Sequence, residues 1–511
     1  MTALRRLAAA GVLATLAACG RAPHPANAPA AGPSAAVALP QGVPVFAGAP
    51  PARLRLEAQP LDVDPDGSAR WLVRAHFVDA RGRPTELLGG GDVAFVPSHG
   101  SAQWQTRMRF GAPAAIVSTD VDGPLSVRVS AAVGVPVPPA TVATDTRAWR
   151  VPRVVARPLG AHTVALGWFP RVAAGTVLIA RGNGESSHPL ATVAAPSSGF
   201  RDESVAPGAS YRYELAFPDG GSASFRIDIP HEPKHGSLEA LAGKSVWLSF
   251  SPSSADGDRY NTLDPAAIVA RAHAAGLRSI VLRTTYGPFE EIAPAAKPTI
   301  DAILDGAAAR GISIIAWTVP RSTGFEDVAA EVAAASYVTP SGNGFAALAV
   351  DLERGGYFLG DGASGYAALG SYLRLLRAAL GPEYPLIATV EDPYLEHLTR
   401  ASYPYDAIAT SADALQPMVY WRVASARVNG PRAVRETLRA SYVATLREAG
   451  RRVPINLGLQ SGGEGPRGAP PPEEIAASIR AARDAGAFGV TFFDWGGTPP
   501  GDWKAIATTA W

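Results

Sequence analysis

Leu348-Ala-Val-Asp351-Leu-Glu353 sets two carboxylates two residues apart in an otherwise apolar run. On a β-strand, residues i and i+2 share one face, with Cα atoms about 6.5–7 Å apart, so both carboxylates project to the same side. Two carboxylates that close cannot both ionise freely. One pKa is pushed up, which is what a general acid requires. Other short apolar runs end in related groups: Arg283 and Tyr286; Trp317 and Arg321; Glu391 and Asp392; Gln416, Tyr420 and Trp421; Asn456 and Gln460; Asp494 and Trp495. Carboxylates, aromatics and amides gathered on one rim suit a carbohydrate, which stacks on rings and needs dense hydrogen bonding. The competing account of Asp351 and Glu353 is a structural ion pair with Arg283 or Arg354.

Other chemistries lack their residues. His235, His273 and His397 are scattered, with no two at metal-ligand spacing. There is no Gly-x-Ser-x-Gly elbow and no phosphate-binding loop. Asp62-Val-Asp64-Pro-Asp66-Gly67 opens like an EF-hand loop, but its twelfth position is Val73 where a bidentate Glu is required. It reads as an acidic turn between strands. No metal and no cofactor are expected.

The elements that would position the rim run from 244 to 511. Eight apolar segments, at 245–250, 279–286, 313–320, 347–353, 385–392, 414–421, 454–460 and 489–495, alternate with Ala-rich amphipathic ones. Gly276, Gly311, Gly450 and Gly486 stand where helices end before the next strand, which is C-cap chemistry. Nearly continuous apolar strands belong to a parallel sheet covered by helices. Eight strand–helix units in about 265 residues predict a (β/α)8 TIM barrel, whose active site lies at the C-terminal strand ends.

At strand four, Asp351-x-Glu353 resembles glycoside hydrolase families 18 and 25. Pro417-Met418-Val-Tyr420 is similar to the Met-x-Tyr of family 18, and Gly489-Val-Thr-Phe-Phe-Asp494-Trp495 resembles its Trp-bearing strand end. The resemblance implies Glu353 as acid/base, Asp351 as its orienting partner, Tyr420 near the anomeric centre and Trp495 as the floor of the sugar site. Arg283, Tyr286, Trp317, Glu391, Gln416, Trp421, Gln460 and Asp494 complete the expected substrate-binding set. The chain departs from family 18 at Ala346 and Ala349, where acidic residues precede the pair, and at Trp421, which stands in place of Asp. Strand seven carries no Glu at its tip, and Glu464 in the following loop is a weak substitute.

Residues 52–148 read as short strands between Gly, Asp and Pro turns. The stretch Phe77-Val-Asp-Ala-Arg-Gly-Arg-Pro84, with Gly91-Asp-Val-Ala-Phe95, resembles invasin-like bacterial immunoglobulin domains. Residues 151–230 resemble a fibronectin type III domain through Trp168, Phe200-Arg-Asp202 and Tyr211-Arg-Tyr213. Tyr211 and Tyr213 share a strand face and are expected to be core and corner residues. The fold expected is therefore multidomain, two all-β sandwiches followed by the α/β barrel.

Arg5 and Arg6, a short apolar run and Leu16-Ala17-Ala18-Cys19 resemble the signal peptide and lipobox of bacterial lipoprotein precursors. The resemblance implies cleavage after residue 18 and a lipid on Cys19, the only cysteine of 511 residues, which leaves none for a disulfide. Residues 19–51 form a Pro/Ala-rich tether. Gly20 is not the Asp that favours inner-membrane retention, so an outer-membrane or surface location in the cell envelope is expected. A net charge of +1 removes the electrostatic case for nucleic acid. The expected partners are a carbohydrate polymer and, through Cys19, the membrane; the chain is expected to be a monomer. The function expected is a membrane-anchored glycoside hydrolase acting on cell-envelope or extracellular polysaccharide. The alternative is a non-catalytic glycan-binding or adhesive lipoprotein with a degenerate barrel.

Overall fold

The computed structural model describes residues 45–89, 92–105, 113–148, 153–184, 186–233, 236–249, 264–287, 289–290, 292, 296–320, 325–354, 363–425, 427–462 and 468–511. Residues 1–44, with Cys19, lie outside them, as do Arg321 and Glu464.

Two pairs of antiparallel sheets precede the barrel. The first pairs a six-stranded sheet with a three-stranded one. Strand Ala114–Thr119 alternates buried and half-buried residues, the signature of a sheet with one face on a core. Trp71, Val73 and Phe77 of one sheet and Phe95, Val127 and Val129 of the other enter a single core. The acidic motif forms the expected turn between Arg53–Val63 and Ala69–Val78. Asp66 accepts the Ser68 N–H at 2.8 Å, and Gly67 adopts φ +89°, which glycine tolerates. Asp62 pairs with Arg70 and Arg157, the latter from the second sheet pair.

That second pair, of three and four strands, closes around Trp168, Ile179 and Tyr213. Tyr213 is buried and donates to Asp202 at 2.6 Å, while the Tyr211 hydroxyl accepts the Ala206 N–H at 3.1 Å. Core and corner placements are what the sequence led us to expect.

Eight parallel strands then close into a barrel: β1 (Gly243–Leu248), β2 (Ser279–Tyr286), β3 (Ser313–Val319), β4 (Leu348–Leu352), β5 (Leu386–Glu391), β6 (Ala414–Val419), β7 (Asn456–Gln460) and β8 (Gly489–Phe493), with β1 bonded to both β2 and β8. The helices are α1 (Pro265–Ala274), α2 (Lys297–Ala308), α3 (Phe325–Ala335), α4 (Ala363–Leu380), α5 (Tyr405–Ser411), α6 (Trp421–Ala424), α7 (Gly430–Ala449), α8 (Pro472–Ala485) and α9 (Pro500–Thr508). All four glycines expected at helix ends have positive φ, between 63° and 88°.

Alternation along the strands separates two cores. Val350, Leu352, Val390 and Leu415 face the helices, whereas Trp247, Val281, Ile315, Ala349 and Ile387 fill the lumen. A 3-10 turn, Leu238–Leu241, closes the N-terminal end of the lumen: Ala240 and Leu241 join its core, and Asn456 donates to the Leu241 carbonyl at 2.9 Å. The opposite end, at the C-terminal strand tips, is where side chains can meet a ligand.

Candidate active site

The site is built from β4 outward. Because Ala349 belongs to the lumen core and Val350 and Leu352 to the helix-side core, Asp351 points into the lumen, and Glu353 follows one residue past the strand end. Asp351 is 6 % exposed and Glu353, just past the strand end, is half-buried. Both predicted carboxylates therefore belong to the tip of β4.

Rings surround them. Trp317 on β3 lies 6.4 Å from Phe493 on β8 and from Trp247 on β1, and Phe493 lies 5.7 Å from Tyr420. Trp247 and Phe493 are 5.9 Å apart. The Arg283 guanidinium sits 5.6 Å from the Tyr286 ring centre and 5.9 Å from that of Trp317, within cation–π range. The indole N–H groups of Trp247 and Trp317 are buried and donate to nothing among the described residues. Buried donors normally have a partner. An acceptor entering the lumen would complete them.

The next strand adds a third carboxylate. Glu391 ends β5 on the lumen side, by alternation with Ile387 and Thr389. Its Oε1 accepts the backbone N–H of Arg354 at 3.1 Å, and the Arg354 guanidinium reaches Glu391 and Glu396 at 3.5 Å each. Burial pushes the Glu391 pKa above the usual carboxylate value, and Arg354 offsets part of that rise. Arg354 is thus engaged with Glu391 and Glu396.

Several expected contacts lie elsewhere. Trp421 is fully buried in the helix-side core, and its Nε1 donates to Glu474 on α8 at 2.9 Å. The chain turns into α6 at that residue, so the ring swings away from the mouth. Trp495 likewise packs on Trp503 of α9 at 4.9 Å, with Arg271 of α1 stacked at 5.6 Å. Phe493, not Trp495, occupies the lumen. Gln416 is buried within a polar network below the mouth: it accepts from Thr389 at 2.9 Å and donates to Asn456 at 2.9 Å and Thr491 at 2.7 Å. Gln460 accepts the Arg422 N–H at 3.1 Å and donates to the Gly462 carbonyl at 3.3 Å, bracing the loops after β6 and β7. Asp494 caps its own turn through the Gly497 N–H at 2.7 Å. Asp392 faces the helices, accepting from Ser441 at 2.7 Å, and burial pushes its pKa up to about 6.

The structure therefore gathers Asp351, Glu353, Glu391, Arg283, Tyr286, Trp317 and Tyr420. Trp247, Phe493 and Arg354 join them without having been singled out as contacts. Period-two alternation on β1 and β8 was the available signal for the two rings.

No protein-family model and no curated protein matches the chain. Solved structures that resemble it include the spore cortex-lytic enzyme SleL of Bacillus megaterium (13 % identity, 56 % of this chain and 77 % of that one, TM-score 0.37). A hyperthermophilic chitinase catalytic domain from Pyrococcus furiosus is also similar (14 %, 53 % and 94 %, 0.37). So is a class V chitinase of Nicotiana tobaccum (12 %, 52 % and 98 %, 0.38).

Proposed function

We propose that the barrel is a glycoside hydrolase that uses Glu353 as proton donor and Asp351 as its orienting partner. The observation carrying this reading is that the Asp351–Glu353 pair sits at the tip of β4, beside a lumen closed at one end and walled at the other by Trp317, Phe493, Tyr420 and Tyr286. The rings offer faces for a sugar, and the Trp247 and Trp317 indole N–H groups, without a partner among the described residues, offer donors to its oxygens. The test is release of reducing ends from a panel of cell-envelope and extracellular glycans by wild type and Glu353→Gln. Wild type should exceed the variant at least about 100-fold, the lower range for loss of a general acid. Equal activity removes the assignment.

Ala346 and Ala349 favour a second reading, a non-catalytic glycan-binding barrel, because Ala349 packs in the apolar lumen where an acidic residue would support the pair. Glycan binding that survives combined Asp351→Asn and Glu353→Gln substitution, without turnover by any preparation, selects that reading.

The two sheet pairs are read as β-sandwich spacers of immunoglobulin-like and fibronectin type III-like kind, occupying 52–148 and 151–230. Cys19 is proposed to carry the lipid that holds the chain on the outer membrane or cell surface. Cys19→Ser should move the protein from the membrane fraction to the soluble one; a Cys19→Ser protein that stays with membranes overturns the anchor. No described helix is long and apolar enough to cross a membrane.

A further inference from the structure

We infer that the polar cleft between the two sheet pairs and α4 is a second binding site, separate from the barrel mouth, and that it takes an acidic saccharide. The inference does not depend on whether the mouth is catalytic.

The cleft holds about 880 Å³. That is the size of a small-ligand site, and such sites favour the junctions of domains. Three units build it. The first sheet pair gives the acidic turn at 64–68 and neighbouring parts of strands Ser101–Gln105 and Ala114–Thr119. The second gives parts of Val164–Val172 and Ser197–Asp202. The barrel gives residues between 371 and 378 of α4. Because α4 leaves the tip of β4 and runs back to the start of β5, its second half lies toward the closed end of the barrel. The mouth is at the other end.

Close backbone contacts set the walls in place. A Cβ at Gly167 would come within 2.4 Å of the Asp64 carbonyl, and one at Gly67 within 2.4 Å of the Ser198 Cβ, so the acidic turn is seated on the second sheet pair. Ser198 also donates to the Asp66 carbonyl at 2.9 Å. At the barrel side, Gly160 lies against the Ala379 backbone, next to the wall residue Ala378. Walls fixed before the ligand arrives reduce the entropy lost on binding.

The walls differ in chemistry. The second sheet pair and α4 present Arg171, Arg201 and Arg374, all exposed. Donation to Ser371 at 3.0 Å steadies the Arg374 guanidinium. The first sheet pair instead presents Asp66 and Asp120, both exposed, with the hydroxyls of Ser101 and Ser118. Arg70 lines this side too, but it pairs with Asp62 and Asp64 and so serves the turn. A guanidinium fork matches a carboxylate bidentately. An ionised aspartate only accepts hydrogen bonds, which suits the hydroxyls of a sugar. A plain anion gains from the arginines and is repelled by the aspartates, whereas a neutral glycan leaves the arginines unused. A uronate, with one carboxylate and several hydroxyls on each ring, meets both walls.

Calorimetric titration of the full chain with hexamers of galacturonate, mannuronate and guluronate tests the site. One or more of them should bind, and Arg171→Ala and Arg374→Ala should each weaken that binding about tenfold or more, the loss expected for a charge-assisted hydrogen bond. Combined Asp351→Asn and Glu353→Gln substitution should leave it unchanged, because the ligand is not in the mouth. Maltohexaose and inorganic polyphosphate should bind at least about tenfold more weakly than the uronate. No binding of any uronate hexamer, or binding that neither arginine substitution weakens, overturns the site. Loss of binding on substitution of Asp351 and Glu353 places the ligand in the mouth and overturns it as well. Polyphosphate that binds as tightly as the uronate overturns the saccharide assignment.

Discussion

Asp502 shows how a single buried acid can burden this barrel. It is 1 % exposed in the first turn of α9, and its Oδ2 finds no hydrogen bond among the described residues. Burial pushes its pKa up to about 7; Arg422 pulls it down, while Glu473 and Glu474 push it further up. Glu474 has first claim on that arginine. Burial raises Glu474 too, but donations from Arg422, Trp421 and the Gly430 N–H outweigh it and hold Glu474 below the usual carboxylate range. The sign for Asp502 follows from linkage. Between its ordinary value of 3.8 and about 7, the folded chain holds a proton that the unfolded chain has released, so stability falls as pH rises and levels off above 7. Asp502→Asn removes that dependence. Its stability advantage over wild type should grow from about pH 4 to pH 7 and then stay constant, reaching about 1–3 kcal/mol, the range for an unsatisfied buried polar group. Denaturation midpoints of both proteins at about pH 4, 6 and 8 check it. A difference that does not vary with pH rules out Asp502 as its source.

At the scale of elements, the strands were the most legible part. Their apolar runs and the glycines at positive φ after the helices state the period plainly, and alternation on β4 turns Asp351 to the lumen, opposite Val350 and Leu352. Alternation failed where the strand had already ended. β6 stops at Val419 and β8 at Phe493, so Trp421 and Trp495 obey the geometry of the turns that follow and not that of the sheet. Gln416 was misplaced for a different reason. It does face the lumen, but too deep, and depth along a tilted strand is set by barrel closure, which local sequence does not express. Trp247 was overlooked because β1 ends in no charged group. Its place depends on Gly458 of β7, where a Cβ would come within 2.8 Å of the Trp247 ring and 3.1 Å of the Pro417 carbonyl. The floor of the site is thus an agreement between a large residue on one strand and a missing side chain on another. Neither announces the other in sequence.

The units are joined by apolar and polar contacts together, Phe169 of the second sheet pair being buried in the core of the first. The first two sheet pairs meet where Ser198 donates to the Asp66 carbonyl at 2.9 Å and Arg157 reaches Asp62. The second pair meets the barrel at Gly160, whose added Cβ would lie 2.5 Å from the Ala379 carbonyl of α4. Between these points remains a polar cleft of about 880 Å³, with Asp66, Arg171, Arg201 and Arg374 among its walls. Interfaces that are this polar usually allow their units to move relative to one another. Here Gly160 packs directly against the α4 backbone, and at φ +117° it also needs a conformation that other residues rarely adopt. Gly160→Val should therefore cost about 1–3 kcal/mol by overpacking and strain, and should release the second sheet pair from α4 without unfolding either unit. Small-angle scattering should show a larger radius of gyration for the variant, while its circular dichroism stays that of wild type. An unchanged radius with a lowered melting temperature would mean that Gly160 serves only its own sheet pair. The distinction matters for the proposed anchoring. Spacers docked on the barrel fix the direction in which the mouth points from a lipid at Cys19, whereas spacers joined only by the chain let it search.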